Sequence, residues 1–307
     1  MFFGPKDSPQ CSLSLKKFFT LADSLGLPIK KEKTIFPSTS VELHGLLVDT
    51  HTMTLSVPPD KVKKALDLIA EIMPCKRVTL RRLQSLAGLL SFFTRALPSA
   101  RCFIRRIFDL FKGVSIPSHH IRLNSGAKAD LKAWQTFLTQ FNGTNIITHL
   151  HWSDDPDCTV VTDASGSNFA GVFGRSWFWG RFPNHWMDKS IAVKEMVPIY
   201  IAFRLWGQNF VNKRIVFYTD NESVSFCLQH HTSHDSTIMS MLRKMVVQAM
   251  QHNIVFTACH IPGASNTLAD ALSRLQLHKA RQVAPWLHSS PDQVPSHYFP
   301  WRTKLQL

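Results

Sequence analysis

HIPGASNTLADALSRL, residues 260–275, decides how the second half of this chain reads. It follows IVFTACHI (254–261), an apolar run of strand length. Pro262 and Gly263 stop that strand, and Asn266 stands in helix-cap position. NTLADALSRLQ (266–276) then reads as a closing helix that carries Asp270 in its first turns.

Two more apolar runs each end on an acid: DCTVVTD (157–163) at Asp163 and RIVFYTD (214–220) at Asp220. FAGVFG and SWFWGRF follow the first as further strands. A helix is predicted from about Val193 to Phe210, with Glu195 ahead of its apolar run and Pro198 in its first turn, where proline is tolerated. Another covers about Ser236–His252. Across residues 152–278 the order β-β-β-α-β-α-β-α is that of a mixed sheet flanked by helices.

The acids carry the chemistry. In an open α/β sheet, ligands bind at the carboxyl ends of strands. If the strands of Asp163 and Asp220 are neighbours, their carboxylates repel unless protons or cations neutralise them. Hard Mg²⁺ suits carboxylate oxygens and keeps waters for substrate phosphates. With Glu195 and Asp270, four acids from two strands and two helices fit a pair of metals about 3.5–4 Å apart, the arrangement used for in-line displacement at phosphorus. Taken singly, each acid reads more readily as a turn cap.

The first half reads differently. Helical spacing covers 12–29, with VELHGLLVD (41–49) as a strand and Thr52–Val57 as its hairpin partner. Residues 58–113 read as three helices: one opening at Pro58-Pro59, one capped by Thr79, and ARCFIRRIFDLFKG (100–113). A helix over 125–141 lies in a connection, 114–151. Residues 279–307, with four prolines and little periodicity, read as a linker or tail.

Net charge is +14, and residues 1–150 hold 21 Lys and Arg against 10 Asp and Glu, a net +11. A basic half beside a near-balanced half suits a polyanion held by one part and processed by the other. The six cysteines form no CxxC pair and read as reduced thiols of an intracellular protein. No leader or membrane-length apolar run is visible, so a soluble protein is expected.

TDAS (162–165), KE (194–195), YTDNESV (218–224) and HIPGASNTLADALSRL (260–275) resemble the ribonuclease H domains of retroelement reverse transcriptases. YTDN, with Thr232-Ser233 before a Leu-Arg helix, looks more like the DIRS type than the Ty3 type. LGLPIKKEKTIFPSTSVELHGLLVD (25–49) resembles the palm end and primer grip, and TLRRLQSLAGLLSFFTRALPSAR (79–101) the thumb. The resemblance covers roughly residues 1–278.

It implies a palm remnant (1–57), thumb-like helices (58–113), a connection (114–151) and a ribonuclease H-like α/β domain (152–278) of strand order 3-2-1-4-5. Asp163, Glu195, Asp220 and Asp270 are then the catalytic, metal-binding acids, served by two Mg²⁺ or Mn²⁺ ions. The expected substrate is an RNA–DNA hybrid, cut in its RNA strand to leave 3′-hydroxyl and 5′-phosphate ends. The rest of a retroelement polyprotein is a further partner, and the expected location is the cytoplasm, with nuclear entry open. The Tyr-x-Asp-Asp strand of a polymerase is missing, since MFFGP (1–5) looks like the sequence just after it, and no polymerase activity is expected.

Residues around the acids have two readings each. Ser165, Asn221 and Thr232 either touch the nucleic-acid backbone or cap local turns. His260 is a proton shuttle or, the favoured reading, a residue of the Pro-Gly turn that is structural or contacts the nucleic acid. Arg81, Arg82, Arg105 and Arg106 contact phosphates or form a solvated helix face. Trp177, Trp179 and Trp186 stack on nucleic acid or pack the third strand, the latter favoured. His230, His231 and His234 lack the partners of a zinc site. Two rival functions stand beside the nuclease: a catalytically silent nucleic-acid-binding remnant, and a DDE-type nuclease or integrase of the same fold.

Overall fold

A computed structural model describes residues 4–5, 8–140, 144–147 and 152–302. The chain opens with α1 (Gln10–Ser24), which buries only Ala22. Three short strands follow, β1 (Ser40–Leu43), β2 (Leu46–Asp49) and β3 (Thr54–Ser56), joined antiparallel in that order. The sequence 41–49, expected as one strand, is therefore a hairpin. His44 and Gly45 both take left-handed φ, 49° and 80°, which suits a tight two-residue turn.

Next come α2 (Pro59–Ile72), β4 (Arg77–Thr79) and α3 (Leu80–Phe93). Thr79 stands at the start of α3 but makes no side-chain cap bond. The expected third helix over 100–113 is a 3-10 turn, Pro98–Phe103, and only then α4 (Arg105–Leu110). α3 stops at Phe93, short of the expected end at Pro98, and Pro98 instead opens the 3-10 turn, where its missing N–H costs nothing. β5 (His120–Arg122) pairs antiparallel with β4. α5 (Ser125–Gln140) buries Trp134, Phe137 and Leu138 against Phe93 and Phe103, whose carbonyl accepts from the Trp134 indole. The helix was expected to reach residue 141, which lies outside the described residues, as do most of 141–151 and 303–307 of the expected connection and tail, and Met1–Phe3 of MFFGP. β6 (Thr144–Ile146) adds a fourth strand beside β3.

The second half is built on a five-stranded sheet. β7 (Cys158–Ala164), β8 (Asn168–Phe173) and β9 (Ser176–Arg181) form an antiparallel meander. α6 (Ile191–Leu205) crosses to β10 (Arg214–Thr219), which lies parallel to β7 on its other side. α7 (Glu222–His230) and α8 (Ser236–Gln251) lead to β11 (Val255–His260), parallel to β10. α9 (Thr267–Ser273) and α10 (Leu277–Val283) follow. In space the strands run β11-β10-β7-β8-β9. The architecture is mixed α/β.

Alternation along β8 separates two layers. Phe169 and Phe173 pack into the large core with α6, whereas Ala170 and Val172 meet Ala271 and Leu272 of α9 and Ala280 of α10. α6 is buried along most of its length, and Ser190, which accepts from the Val193 N–H, caps it. Because the helix begins at Ile191, Pro198 lies in its interior, not in its first turn.

Residues 279–302 are no tail. After α10, residues 288–292 run alongside the edge strand β9. His288 N–H donates to the Arg175 carbonyl and Asp292 N–H to that of Trp177, while the Trp177 and Trp206 indoles donate to His288 O and Asp292 Oδ2. Phe299 and Trp301, stacked at 5.0 Å, close over Phe169, with Trp301 also reaching Phe182 and Trp186. Prolines hid this, because the strap uses extended backbone with aromatic anchors and not periodic apolar positions.

The two halves meet through a buried ion cluster. Asp130 of α5, fully buried, takes Arg106 at 3.2 Å and Arg243 of α8 at 3.6 Å, and Arg243 also donates to the Cys102 carbonyl. All six cysteines are free thiols. No helix among the described residues is long and apolar enough to cross a membrane.

Candidate metal centre

β7 and β10 run parallel with Tyr218 opposite Val161, so the pairing carried two residues on sets Asp220 level with Asp163. Both then stand at the carboxyl ends of adjacent central strands. Glu195, in the second turn of α6, reaches the same point and accepts from the Ala164 N–H at 3.1 Å. Oxygens of Asp163, Glu195 and Asp220 all lie within 4.8 Å of one another. Asp163 and Glu195 are buried and Asp220 is half-buried.

Asp163 is held at both oxygens by the helix α9 and its cap. Ser273 Oγ donates to Oδ2 at 2.5 Å, and Asn266 Nδ2 donates to Oδ1 at 3.2 Å and to the Thr162 carbonyl at 3.0 Å. Asn266 and Ser273 are seven residues apart, two helical turns, and so share a face. Asn266 was expected as a cap; it makes no cap bond because its amide turns inward to the acid. Neither positioning role was legible in advance, although both residues lie inside the motif that marks the site.

Asp270 borders this group without joining the 4.8 Å set; its Oδ1 accepts from Arg274 Nε at 2.5 Å, one turn on. Its charge and that of Arg274 are still felt at Asp163. Lys194, buried beside Glu195, donates to the carbonyls of Gly166 and Met187 and ties the β7–β8 turn to α6. The His-x-Pro-Gly turn brings backbone against Asp220: a Cβ on Gly263 would stand 3.3 Å from Asp220 Oδ2.

The electrostatics follow from crowding acids under a sheet. Burial raises the Glu195 carboxyl to about 9, with the charges of Asp163 and Asp220 adding to the effect. Burial raises Asp163 to about 6; Ser273's hydrogen bond opposes it, and the charge of Asp220 reinforces it. Glu195 Oε2 is buried without a hydrogen-bond partner. An all-oxygen donor set, mutual repulsion and an orphaned carboxylate oxygen together fit a hard divalent cation.

The other expected residues divide. Ser165 Oγ donates to the carbonyls of Asn168 and Ser273, locking a turn to α9, and Asn221 caps α7 by accepting from the Val224 N–H. Both act as local caps. His260 is exposed, with Nε2 3.2 Å from the Asp220 carbonyl. Thr232 borders a small cleft with Arg101 and Arg105, beside the helical first half. Arg82 is paired with Glu71 and Arg105 lies 3.9 Å from Asp109. Arg106 is committed to Asp130, so it is not a free phosphate ligand; Arg81 is exposed. Trp177 and Trp186 are buried, while Trp179 is 39% exposed. His231 is buried against Phe256, and no metal group forms from the three histidines among the described residues.

No family model matches the chain, and no curated protein matches it. Among solved structures it is similar to the foamy viral protease-reverse transcriptase dRH in complex with double-stranded DNA, at 16% identity and a TM-score of 0.38, over 80% of this chain and 42% of that one. The same viral protein in complex with an RNA/DNA hybrid aligns at 15% identity and a TM-score of 0.38, over 84% and 34%. RNase H1 from the halophilic archaeon Halobacterium salinarum NRC-1 aligns at 17% identity and a TM-score of 0.30, over 40% of this chain and 98% of that one. The chain spans less than half the length of these two viral chains.

Proposed function

We propose that this chain is a metal-dependent endonuclease of the ribonuclease H-like fold that cleaves the RNA strand of RNA–DNA hybrids, and that it derives from a retrotransposon reverse transcriptase of DIRS or Ty3-like type. The observation that carries the reading is the convergence of Asp163, Glu195 and Asp220, from two strands and a helix, to within 4.8 Å at a strand-end site. The substrate class rests on the motifs at 162–165, 194–195, 218–224 and 260–275.

Asp163, Glu195 and Asp220 would hold two Mg²⁺ or Mn²⁺ ions, with Asp270 completing the set. When bound, such ions supply Lewis acidity at phosphorus and lower the pKa of the attacking water. The chain's own residues prepare that chemistry. Asn266 and Ser273 fix the plane of the Asp163 carboxylate, and the Ala164 N–H orients Glu195. Arg274 sets Asp270 at the rim.

The test is Mg²⁺- or Mn²⁺-dependent cleavage of a labelled RNA–DNA hybrid, with Asp163→Asn alongside. RNA-strand cleavage that the variant abolishes is the expected result. Binding of the hybrid with no cleavage in either metal would overturn it in favour of a silent nucleic-acid-binding remnant. That second reading is favoured by one observation: Asp270 is engaged by Arg274 and stands outside the acidic group.

A further inference from the structure

α6 and α8 pack side by side, and near the far end of α6 from Glu195 they form a cleft of about 440 Å³. Arg204, in the last turn of α6, and Lys244, in the middle of α8, both line it. The strap supplies one wall through Tyr298, whose ring lies 4.9 Å from the Arg204 guanidinium carbon. Gln208, Gln251 and His252 add polar groups, and among the described residues no Asp or Glu lines the cleft.

Two half-buried cations face one cleft, and among the described residues neither forms an ion pair. Burial, and then the charge of Arg204, hold the Lys244 ammonium below its usual range. The neighbouring residue shows what the fold does elsewhere: Arg243 has Asp130 and a carbonyl. Lys194, also buried, has two carbonyls. Arg204 has partial reasons for its place: its charge and hydrogen bonding act on the buried Tyr200 hydroxyl one turn earlier, and a helix C-terminus favours a cation. Lys244, mid-helix, has no counter-charge among the described residues.

We propose that Arg204 and Lys244 form an anion site for a phosphate group. A guanidinium fork and an ammonium point charge together match a dianionic or bridging phosphate better than a single carboxylate. The site is distinct from the acids: nine residues of helix separate Arg204 from Glu195, roughly 14 Å at the usual rise. It does not depend on the nuclease reading. The phosphate belongs either to a free or terminal phosphate or to a nucleic-acid strand lying across α6 and α8.

Calorimetric titration of the full chain with inorganic phosphate, in chloride buffer with EDTA, tests this. Saturable one-to-one binding is expected, weakened about tenfold by Lys244→Gln and retained in Lys244→Arg. Arg204→Gln should weaken it similarly, and Arg204→Lys, which keeps the charge, serves if the Tyr298 wall loosens. Competition by a deoxythymidine octamer without terminal phosphates assigns the site to a strand; phosphate binding without competition assigns it to free or terminal phosphate. No saturable binding, or equal affinity in Lys244→Gln, overturns the proposal.

Discussion

Ser273 Oγ donates to Asp163 Oδ2, joining the last residue of α9 to the strand-end acid across 110 residues of sequence. Because both groups are buried, the bond is shielded from water, and it is charge-assisted where Asp163 is ionised. Ser273→Ala should lower stability by about 1–3 kcal/mol in urea denaturation. It should also weaken Mn²⁺ binding followed by paramagnetic resonance. A variant as stable as the parent would remove this bond from the account of the site.

Glu195 gives a pH signature in metal-free protein. Its carboxyl is raised from 4.5 to about 9 and that of Asp163 from 3.8 to about 6, so the folded state holds protons that the unfolded state has released. The associated stability is fully present below about pH 4 and is lost as pH rises through 6 and then 9. Glu195→Gln should therefore melt higher than the parent at about pH 8 in EDTA and show little difference at about pH 4. Added Mn²⁺ should stabilise the parent at the higher pH, since it binds the ionised acids. Parallel melting profiles for parent and variant would contradict this.

Gly263 lies against Asp220 with φ outside the left-handed region, so alanine there meets the carboxylate without straining backbone. Gly263→Ala should change stability by less than about 1 kcal/mol. If the nuclease reading holds, it should still slow hybrid cleavage on the order of tenfold by displacing the acid. Unchanged turnover would show that Asp220 has room to move.

Asp130 balances two arginines in a buried place. Asp130→Ala would leave Arg243, 4% exposed, without its counter-charge and should cost about 3–5 kcal/mol. The Asp130→Ala/Arg243→Met double variant should recover part of that loss. A double variant no better than the single one would show that the guanidinium matters for its bond to the Cys102 carbonyl instead.

The strand-end acids were legible because each closes an apolar run, and strand direction alone brings such ends together. Asp270 was legible as a motif position, but its distance from the other three was not, since the pairing with Arg274 one turn away depends on side-chain placement. The hairpin at 40–49 was read as one strand because His44 is an unusual left-handed residue and His-Gly is a weaker turn signal than Asn-Gly. Asn266 and Ser273 showed their sequence places and not their inward aim, which only the docking of α9 on β7 and β8 decides.

Along β9 the strap has a consequence for where this polypeptide can be cut. Removing everything after residue 278 would bare the carbonyls of Arg175 and Trp177 on an outer strand and uncover Phe169. Such an edge is a template for foreign strands. A fragment stopped at the end of the recognisable motif is therefore expected to aggregate, and one carried through Trp301 keeps the cover over Phe169.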